Sequence, residues 1–243
     1  MNDFIQPDWP APENIKAYTT TRNTGVSEAS YASFNLATHV NDNPQHVLKN
    51  RAILKQSLNL PAEPVWLEQV HGVCVLDTDN YSSNQADAAF STHIKQVCVV
   101  MTADCLPVLI CNRQGTKVAA AHAGWRGLQA GIIERTIDAL QEDPASCLLW
   151  LGPAIGAQAF EVGDEVREAF VNEMPTTAEA FVANRPGHWL ADIYQLARIR
   201  LQKKGVNEIY GGGLCTYTDS SRFYSYRRDN HSGRMASLIW RET

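Results

Sequence analysis

Apolar positions along the chain alternate between short strand-like runs and stretches with helical spacing. Seven apolar runs, rich in β-branched and other strand-forming residues, predict strands at residues 16–22, 65–76, 97–102, 108–111, 117–122, 147–151 and 237–240. Helical spacing, with caps such as Asn43-Pro44, predicts helices that begin at 44, near 127, near 164 and near 193. The polar stretches 77–86 and 173–189 predict surface loops. Such mixing of elements is typical of a layered α+β or α/β domain.

Length and composition limit the architecture and the class of partner. The chain has 243 residues, 44% of them hydrophobic, and neither a repeat nor a linker divides it, so we expect one domain over residues 1–243. The formal net charge is -5 and the basic residues are scattered, which argues against a nucleic-acid surface. No apolar run approaches the roughly 20 residues of a membrane helix. Residues 1–12 lack the features of a secretory signal, so the expected location is the cytoplasm.

Six cysteines occur in this chain, at positions 74, 98, 105, 111, 147 and 215. Disulfide frameworks belong to short secreted proteins, so the sequence predicts free thiols. Cys98 and Cys111 lie inside apolar runs and are expected to be buried and inert, and we expect the same of Cys74, Cys147 and Cys215. Cys105 differs because it stands between an acid and Leu-Pro at a break between two predicted strands.

Reactive side chains come at the ends of predicted strands in three segments, 67–72, 102–107 and 121–127. His71 precedes a glycine, Cys105 follows Asp104, and His122 ends a run of alanines. Two imidazoles and a thiolate suit zinc, and three protein ligands leave a position open for water or substrate. Taken singly, each histidine could be a hydrogen-bonded structural residue and the cysteine a small buried apolar group. His39, His46, His93 and His188 lie in polar surroundings and are expected to be solvated.

Three arginines could shape a pocket around these residues. Arg51 interrupts the apolar stripe of its helix, so it binds an anion or extends from the edge of the stripe. Arg126 lies in a Gly-Trp-Arg-Gly turn whose helix start could bind an anion or simply begin the helix. Arg227 follows aromatic residues in a segment that suits base stacking or a half-exposed strand equally well.

The segments in this order resemble the YfiH-like laccase-domain family, whose members are called polyphenol oxidases, multifunctional purine nucleoside phosphorylases or peptidoglycan editing factors. The resemblance covers nearly the whole chain and rests on residues 19–22, 35–36, 50–51, 69–72, 104–107, 122–127, 152–156, 215–216, 225–228 and 233–234. This sequence departs from the family at Asn23-Thr24 and at Ala29, where glycines are usual.

The resemblance implies an α+β fold, a single layered domain of mixed β-sheets flanked by helices, like that of cytotoxic necrotising factor. It implies a metal held by His71, Cys105 and His122, with zinc expected and copper as the alternative. It also implies phosphorolysis of adenosine, inosine, guanosine and methylthioadenosine, and deamination of adenosine. The partners would be a small-molecule nucleoside and phosphate, without nucleic acid or membrane, in a monomer or small homo-oligomer. We expect Asp104 to act as general acid or base, and Arg51, Arg126 or Arg227 to hold the substrates.

Other classes of function fit parts of the same pattern. A multicopper oxidase needs many histidines, mostly in His-x-His pairs, whereas this chain has seven histidines and no such pair. A metal-free amidase or hydrolase would use Cys105 as nucleophile and His122 or His71 as base, as the peptidoglycan-editing role requires. A non-catalytic purine-sensing module would not need the thiol of Cys105.

Overall fold

Twelve strands form three sheets in residues 4–243, the part of the chain that the computed structural model describes. Residues 1–3 lie outside this part, and they belong to the segment 1–12 that is predicted to lack a secretory signal. The strands are β1 (Ile15–Thr19), β2 (Val75–Asp77), β3 (Ala88–Ser91), β4 (Cys98–Thr102), β5 (Leu106–Asn112), β6 (Val118–Ala123), β7 (Cys147–Leu151), β8 (Glu161–Gly163), β9 (Phe181–Arg185), β10 (His188–Ala191), β11 (Glu208–Gly211) and β12 (Met235–Arg241). The helices are α1 (Pro44–Ser57), α2 (Trp125–Gln129), α3 (Ile132–Ala139), α4 (Asp164–Glu173), α5 (Ile193–Lys204) and α6 (Tyr226–Asp229), and 3-10 turns cover Ala29–Tyr31, Pro144–Ser146 and Pro175–Ala180.

The largest sheet has six strands in the order β11-β7-β5-β6-β3-β2. Its two outer pairs, β11 with β7 and β2 with β3, are parallel, and its inner pairs are antiparallel. A second sheet, β1-β12-β4, is antiparallel throughout, and a third contains β8-β10-β9. Mixed sheets with flanking helices confirm the predicted α+β fold class.

Side chains on opposite faces of the six-stranded sheet and of the β1-β12-β4 sheet fill separate cores, and these cores show how the layers stack. Val108 and Ile110 of β5 pack with the helices α3, α4 and α5, whereas Leu109 on the other face packs with the β1-β12-β4 sheet. Val99 and Leu238, on the far face of the β1-β12-β4 sheet, pack with residues of α1 and the segment before it. The order of layers is therefore α1, the β1-β12-β4 sheet, the six-stranded sheet, and the helices α3, α4 and α5. Successive side chains of a strand point to opposite faces, so each of these two sheets is buried on both faces.

Several predicted elements are wrong in extent. Residues 65–76 do not form one strand, because the chain turns at His71, whose φ is 60°, and only residues from Val75 onward belong to a strand. The helix predicted from about Gly127 begins at Trp125 and is interrupted at Gly131, whose φ of 91° is left-handed. The predicted loop 173–189 contains a 3-10 turn, β9 and the start of β10. The cap predicted at Asn43, by contrast, accepts a backbone N–H group of the first turn, and the structure shows that Asp192 caps α5 in the same way.

All six cysteines are free thiols, as predicted. Cys98, Cys111 and Cys147 are buried, and burial raises the pKa of each. The expectation of burial is wrong for Cys74, which is exposed, and Cys215 is only half-buried. Within residues 4–243, no helix has both the length and the apolar composition that crossing a bilayer requires.

Candidate metal centre

Antiparallel pairing brings the ends of three strands together at one edge of the six-stranded sheet. In the register of β5 with β6, Pro107 lies opposite His122, and in that of β3 with β6, Ala88 lies opposite Ala121. Because the start of an antiparallel strand lies beside the end of its neighbour, the residues just before β3 and β5 meet the end of β6. Asp87, Cys105 and His122 are therefore neighbours although they are far apart in the sequence.

His71 joins this group from a loop rather than from a strand. The carboxylate of Asp87 accepts hydrogen bonds from the backbone N–H groups of Val70, His71 and Gly72 at 3.3, 2.9 and 2.6 Å. Gln69 attaches the same loop to β4, because its side-chain amide bonds to both the N–H and the carbonyl of Met101. These contacts hold the loop in the turn that directs the imidazole of His71 towards Cys105.

The potential ligand atoms of His71, Cys105 and His122 all lie within 4.8 Å of one another. Nε2 of His71 is 3.8 Å from Sγ of Cys105, and the two imidazole rings meet edge to face with centroids 4.7 Å apart. His122 is buried, Cys105 is half-buried and His71 is exposed. The cluster therefore has a protein side and a side open to solvent.

Gly124 leaves the space that this cluster occupies. A Cβ at this position would lie 2.8 Å from Cδ2 of His71 and 3.1 Å from Sγ of Cys105. Its φ of -63° is ordinary, so glycine is required here by the close approach of two side chains and not by backbone conformation.

Asp87 orients His122 as well as the loop of His71. Its side chain is completely buried, and its Oδ1 accepts a hydrogen bond of 2.8 Å from Nδ1 of His122. Burial raises the pKa of Asp87, but the hydrogen bond from His122 and those from the backbone outweigh it, so the pKa is lowered. With Nδ1 donating to a carboxylate, Nε2 of His122 faces the cluster, which is the arrangement of histidine ligands in metalloproteins.

Cys105 and His122 form a strongly coupled pair when no metal is bound. Burial raises the pKa of Cys105, but the charge and hydrogen bond of His122, and then those of His71, lower it to about 6. Burial lowers the pKa of His122, but the Cys105 thiolate and Asp87 raise it to about 9. These opposite shifts favour a thiolate beside an imidazolium in the metal-free protein, and a metal ion would take the place of the imidazolium proton.

The donor set fits a divalent metal ion of the zinc type. Ligands at zinc distances of about 2.0–2.3 Å in a tetrahedron lie about 3.3–3.6 Å from each other. The 3.8 Å between Sγ of Cys105 and Nε2 of His71 needs only a small contraction to reach this spacing. Two imidazoles and one thiolate would supply three protein ligands to such an ion, so that water or substrate could be the fourth.

A cavity of about 430 Å³ opens above the cluster, within the range of small-molecule sites. It is lined by His39, Gln69, His71, Met101, Thr102, Ala103, Cys105, His122, Tyr226 and Arg234.

Asp104, expected to be a general acid or base, does not line this cavity. Its buried carboxylate accepts hydrogen bonds from the hydroxyls of Thr216 and Ser225 and from the backbone N–H of Arg227, at 2.6, 3.0 and 2.7 Å. These contacts attach the segment before β5 to the start of α6, so Asp104 positions Cys105 through the backbone.

The three arginines expected at the substrate also lie outside the cavity lining. Arg51 stacks on Trp66 at 3.8 Å and donates to the carbonyl of Leu36, and burial lowers its pKa to about 10. Arg126 and Arg227 are exposed. Their guanidinium groups lie over the rings of Trp125 and Phe160, and Arg227 also donates to the carbonyl of Glu161.

Two residues of the site were missed by the reasoning from sequence. Asp87 is a single acid in the run Ala86-Asp87-Ala88-Ala89, and an isolated carboxylate among small apolar residues is a signal of a buried functional group. Arg234, which follows Gly233 just before β12, lines the cavity, whereas the sequence indicates only that it matches the family pattern. His39, expected to be solvated, is exposed but also lines the cavity.

Comparisons with known proteins agree with the resemblance seen in the sequence. The family model described as multi-copper polyphenol oxidoreductase laccase matches residues 16–242. The purine nucleoside phosphorylase YfiH of Escherichia coli is 54% identical over 242 residues, and a purine nucleoside phosphorylase of Pseudomonas aeruginosa is 53% identical over 241 residues, each covering 99% of both chains. The crystal structure of a Neisseria meningitidis protein, 49% identical, matches with a TM-score of 0.96 over 99% of this chain and 100% of that chain. The chain therefore belongs to the YfiH-like laccase-domain family.

Proposed function

We propose that the protein is a zinc-dependent purine nucleoside phosphorylase whose reaction takes place in the cavity above His71, Cys105 and His122. The observation that carries this proposal is the convergence of two imidazoles and one thiolate on the floor of a cavity of about 430 Å³. The name of the E. coli and P. aeruginosa relatives supports the choice of reaction.

In phosphorolysis an oxygen of phosphate forms a bond to C1′ of the ribose while the bond from C1′ to N9 of the purine breaks. The purine leaves with the bonding electrons and takes up a proton. The bound zinc ion would supply a Lewis-acidic position for an oxygen ligand. The protein contributes orientation, because Asp87 holds the ring of His122 and the loop of His71 at the same time. As substrates we propose the four nucleosides that the family resemblance implies, which are adenosine, inosine, guanosine and methylthioadenosine.

A direct test is incubation of the purified protein with inosine and phosphate while hypoxanthine release is followed. Turnover should require both phosphate and bound metal, and a metal-stripped sample should recover activity when zinc is restored. Copper in place of zinc distinguishes the two candidate metals. Absence of turnover in the zinc-loaded protein would contradict the proposal.

Deamination of adenosine is a second reaction that the same site could support. An open zinc position lowers the pKa of bound water to about 7, which provides a hydroxide for C6 of the purine. The thiolate, the imidazoles and the buried Asp87 would then orient the water from the protein side. Ammonia release from adenosine without added phosphate tests this reaction separately from phosphorolysis.

A hydrolase or amidase acting on peptidoglycan precursors is the alternative, and one feature favours it. Cys105 lies beside His122, which bonds to the buried Asp87 at 2.8 Å, and the charge of His122 helps to lower the pKa of the thiol to about 6. Without metal this is the arrangement of a cysteine nucleophile, its base and an orienting acid. Prompt alkylation of Cys105 in the protein as purified would favour this alternative.

Copper-dependent oxidation of polyphenols, the activity in the description of the family model, would need the cluster to hold copper. Among residues 4–243, His71, Cys105 and His122 form the one group of potential metal ligands.

We propose the cytoplasm as the location of the reaction, because a zinc thiolate and six free cysteines suit a reducing compartment. One domain over residues 1–243, and a monomer or small homo-oligomer, stay predictions.

A further inference from the structure

Arg234 lines the cavity without an acidic partner. Within residues 4–243 no carboxylate lies within ion-pair distance of its guanidinium group. Its Nη1 donates to the carbonyls of Ser232 and Gly233 at 2.8 and 3.1 Å, and its backbone N–H donates to Asn35. The described hydrogen bonds of the side chain all start from Nη1, so the other nitrogens of the guanidinium group are free to bind a ligand. A partly buried guanidinium without a counter-ion is a recognised binding site for oxyanions.

A second polar side chain, the imidazole of His39, lines the cavity with Arg234. Burial lowers the pKa of His39, and the charges of Arg234 and Arg51 lower it further, so this residue offers a neutral imidazole that can donate one hydrogen bond. The charge of Asp104 acts on Arg234 from a distance, but this carboxylate is hydrogen-bonded to Thr216 and Ser225 and forms no ion pair with the guanidinium group. An anion entering the cavity can therefore reach a guanidinium group that no carboxylate occupies.

Thr102, at the end of β4, provides an independent indication of a ligand. Its side chain is 2% exposed and lines the cavity, and its Oγ1 has no hydrogen-bond partner among the described residues. A buried hydroxyl without a partner is unfavourable, so such a group is normally satisfied by a bound molecule. Because a hydroxyl can donate, an oxygen of an anion beside Arg234 would satisfy it.

We infer that Arg234, His39 and Thr102 form an oxyanion subsite of this cavity and that it binds a phosphate group. The inference rests on the proposed function for the role of phosphate as co-substrate, but phosphate binding can be measured without any nucleoside. The shared chemistry is a tetrahedral phosphate, supplied either by inorganic phosphate or by a nucleoside 5′-monophosphate. The structure favours Arg234 over Arg126 and Arg227 for this role, because those two guanidinium groups lie outside the cavity lining.

The test is calorimetric titration of the metal-loaded protein with inorganic phosphate, and separately with inosine 5′-monophosphate. Arg234→Met should raise the Kd of phosphate by about 10–100-fold, as expected for loss of charge-assisted hydrogen bonds, and Arg234→Lys by less. Thr102→Val should raise it about 2–10-fold without lowering thermal stability, because the hydroxyl that it removes has no protein partner. Arg113→Met is the matched control, since Arg113 pairs with Glu208 beyond the opposite end of β5.

The outcomes separate the subsite from the proposed function. If phosphate binds saturably with these losses but inosine is not cleaved, the subsite stands and the phosphorylase proposal fails. If inosine is cleaved and Arg234→Met and Thr102→Val both bind phosphate like wild type, the subsite is overturned and the phosphorylase proposal stands. Tighter binding of the monophosphate, with the same loss in Arg234→Met, supports the subsite and identifies a nucleotide as the source of the phosphate. Absence of saturable binding of either probe to wild type overturns the inference.

Discussion

Replacing Asp87 with asparagine tests whether one carboxylate organises the whole candidate metal centre. The carboxylate uses Oδ1 for Nδ1 of His122 and the N–H of His71, and Oδ2 for the N–H groups of Gly72 and Val70. An asparagine has one acceptor oxygen, so its amide group must face donors on one of these two sides. Either the turn at Gly72 loses its acceptor, or His122 must move its proton to Nε2, where it blocks metal binding.

The size of the effect follows from these contacts. Hydrogen bonds to a charged group contribute about 1.5–3 kcal/mol each, and a buried donor left without a partner is unfavourable by a similar amount. Because Asp87 is completely buried, relaxation into solvent cannot compensate. We expect Asp87→Asn to lower the free energy of unfolding of the metal-free protein by about 2–4 kcal/mol. Loss of an orienting partner should also weaken zinc binding by about 10–100-fold.

The assays are urea unfolding of the chelated protein and competitive zinc titration of the native protein. Asp138→Asn is the control, because Asp138 forms an exposed ion pair with Lys204 at 2.6 Å. Exposed pairs contribute about 0–1 kcal/mol, so this variant should resemble wild type in both assays. Equal zinc affinity and equal urea midpoints for Asp87→Asn and Asp138→Asn would refute the role assigned to Asp87.

Two substitutions and an alkylation experiment test the cluster itself. Cys105→Ser replaces a soft ligand by a weak one, so zinc stoichiometry and activity should fall together; full zinc retention with loss of turnover would instead indicate a nucleophile. Iodoacetamide should label Cys105 in wild type only after chelation. In the chelated protein the labelling rate should rise as pH increases through about 6, because the neighbouring imidazoles lower the pKa of Cys105 from 9.0 to about 6; a midpoint near 9 would contradict that pairing. Gly124→Ala places a methyl group 2.8 Å from His71 and 3.1 Å from Cys105, so the zinc content of this variant should fall. Gly72→Ala is the control, because its Cβ makes ordinary contacts at 3.5 Å or more. Equal zinc content in the two variants would show that the cluster can shift to make room.

Local pattern was informative where a segment is buried on both faces. The apolar run at 147–151 coincides with β7, and the run at 97–102 differs from β4 by one residue. β9 and β10 were missed because their side chains are mostly exposed or half-exposed and polar residues dominate the segment 173–189. Strands of that kind are stabilised by pairing with neighbours, which a single sequence does not reveal.

The site divides in the same way. The sequence by itself indicated His71, Cys105 and His122 as the candidate reactive residues, because they come at the ends of predicted strands and match a family pattern. Only the tertiary structure decided that Asp87 orients two of them and that Arg234, not Arg126 or Arg227, lines the cavity. Periodicity reports which face of a strand or helix is buried, and that depends on neighbours a few residues away. Which strand ends meet depends on pairing between residues separated by 35 positions, as for Asp87 and His122, and that pairing is decided by how the sheets pack.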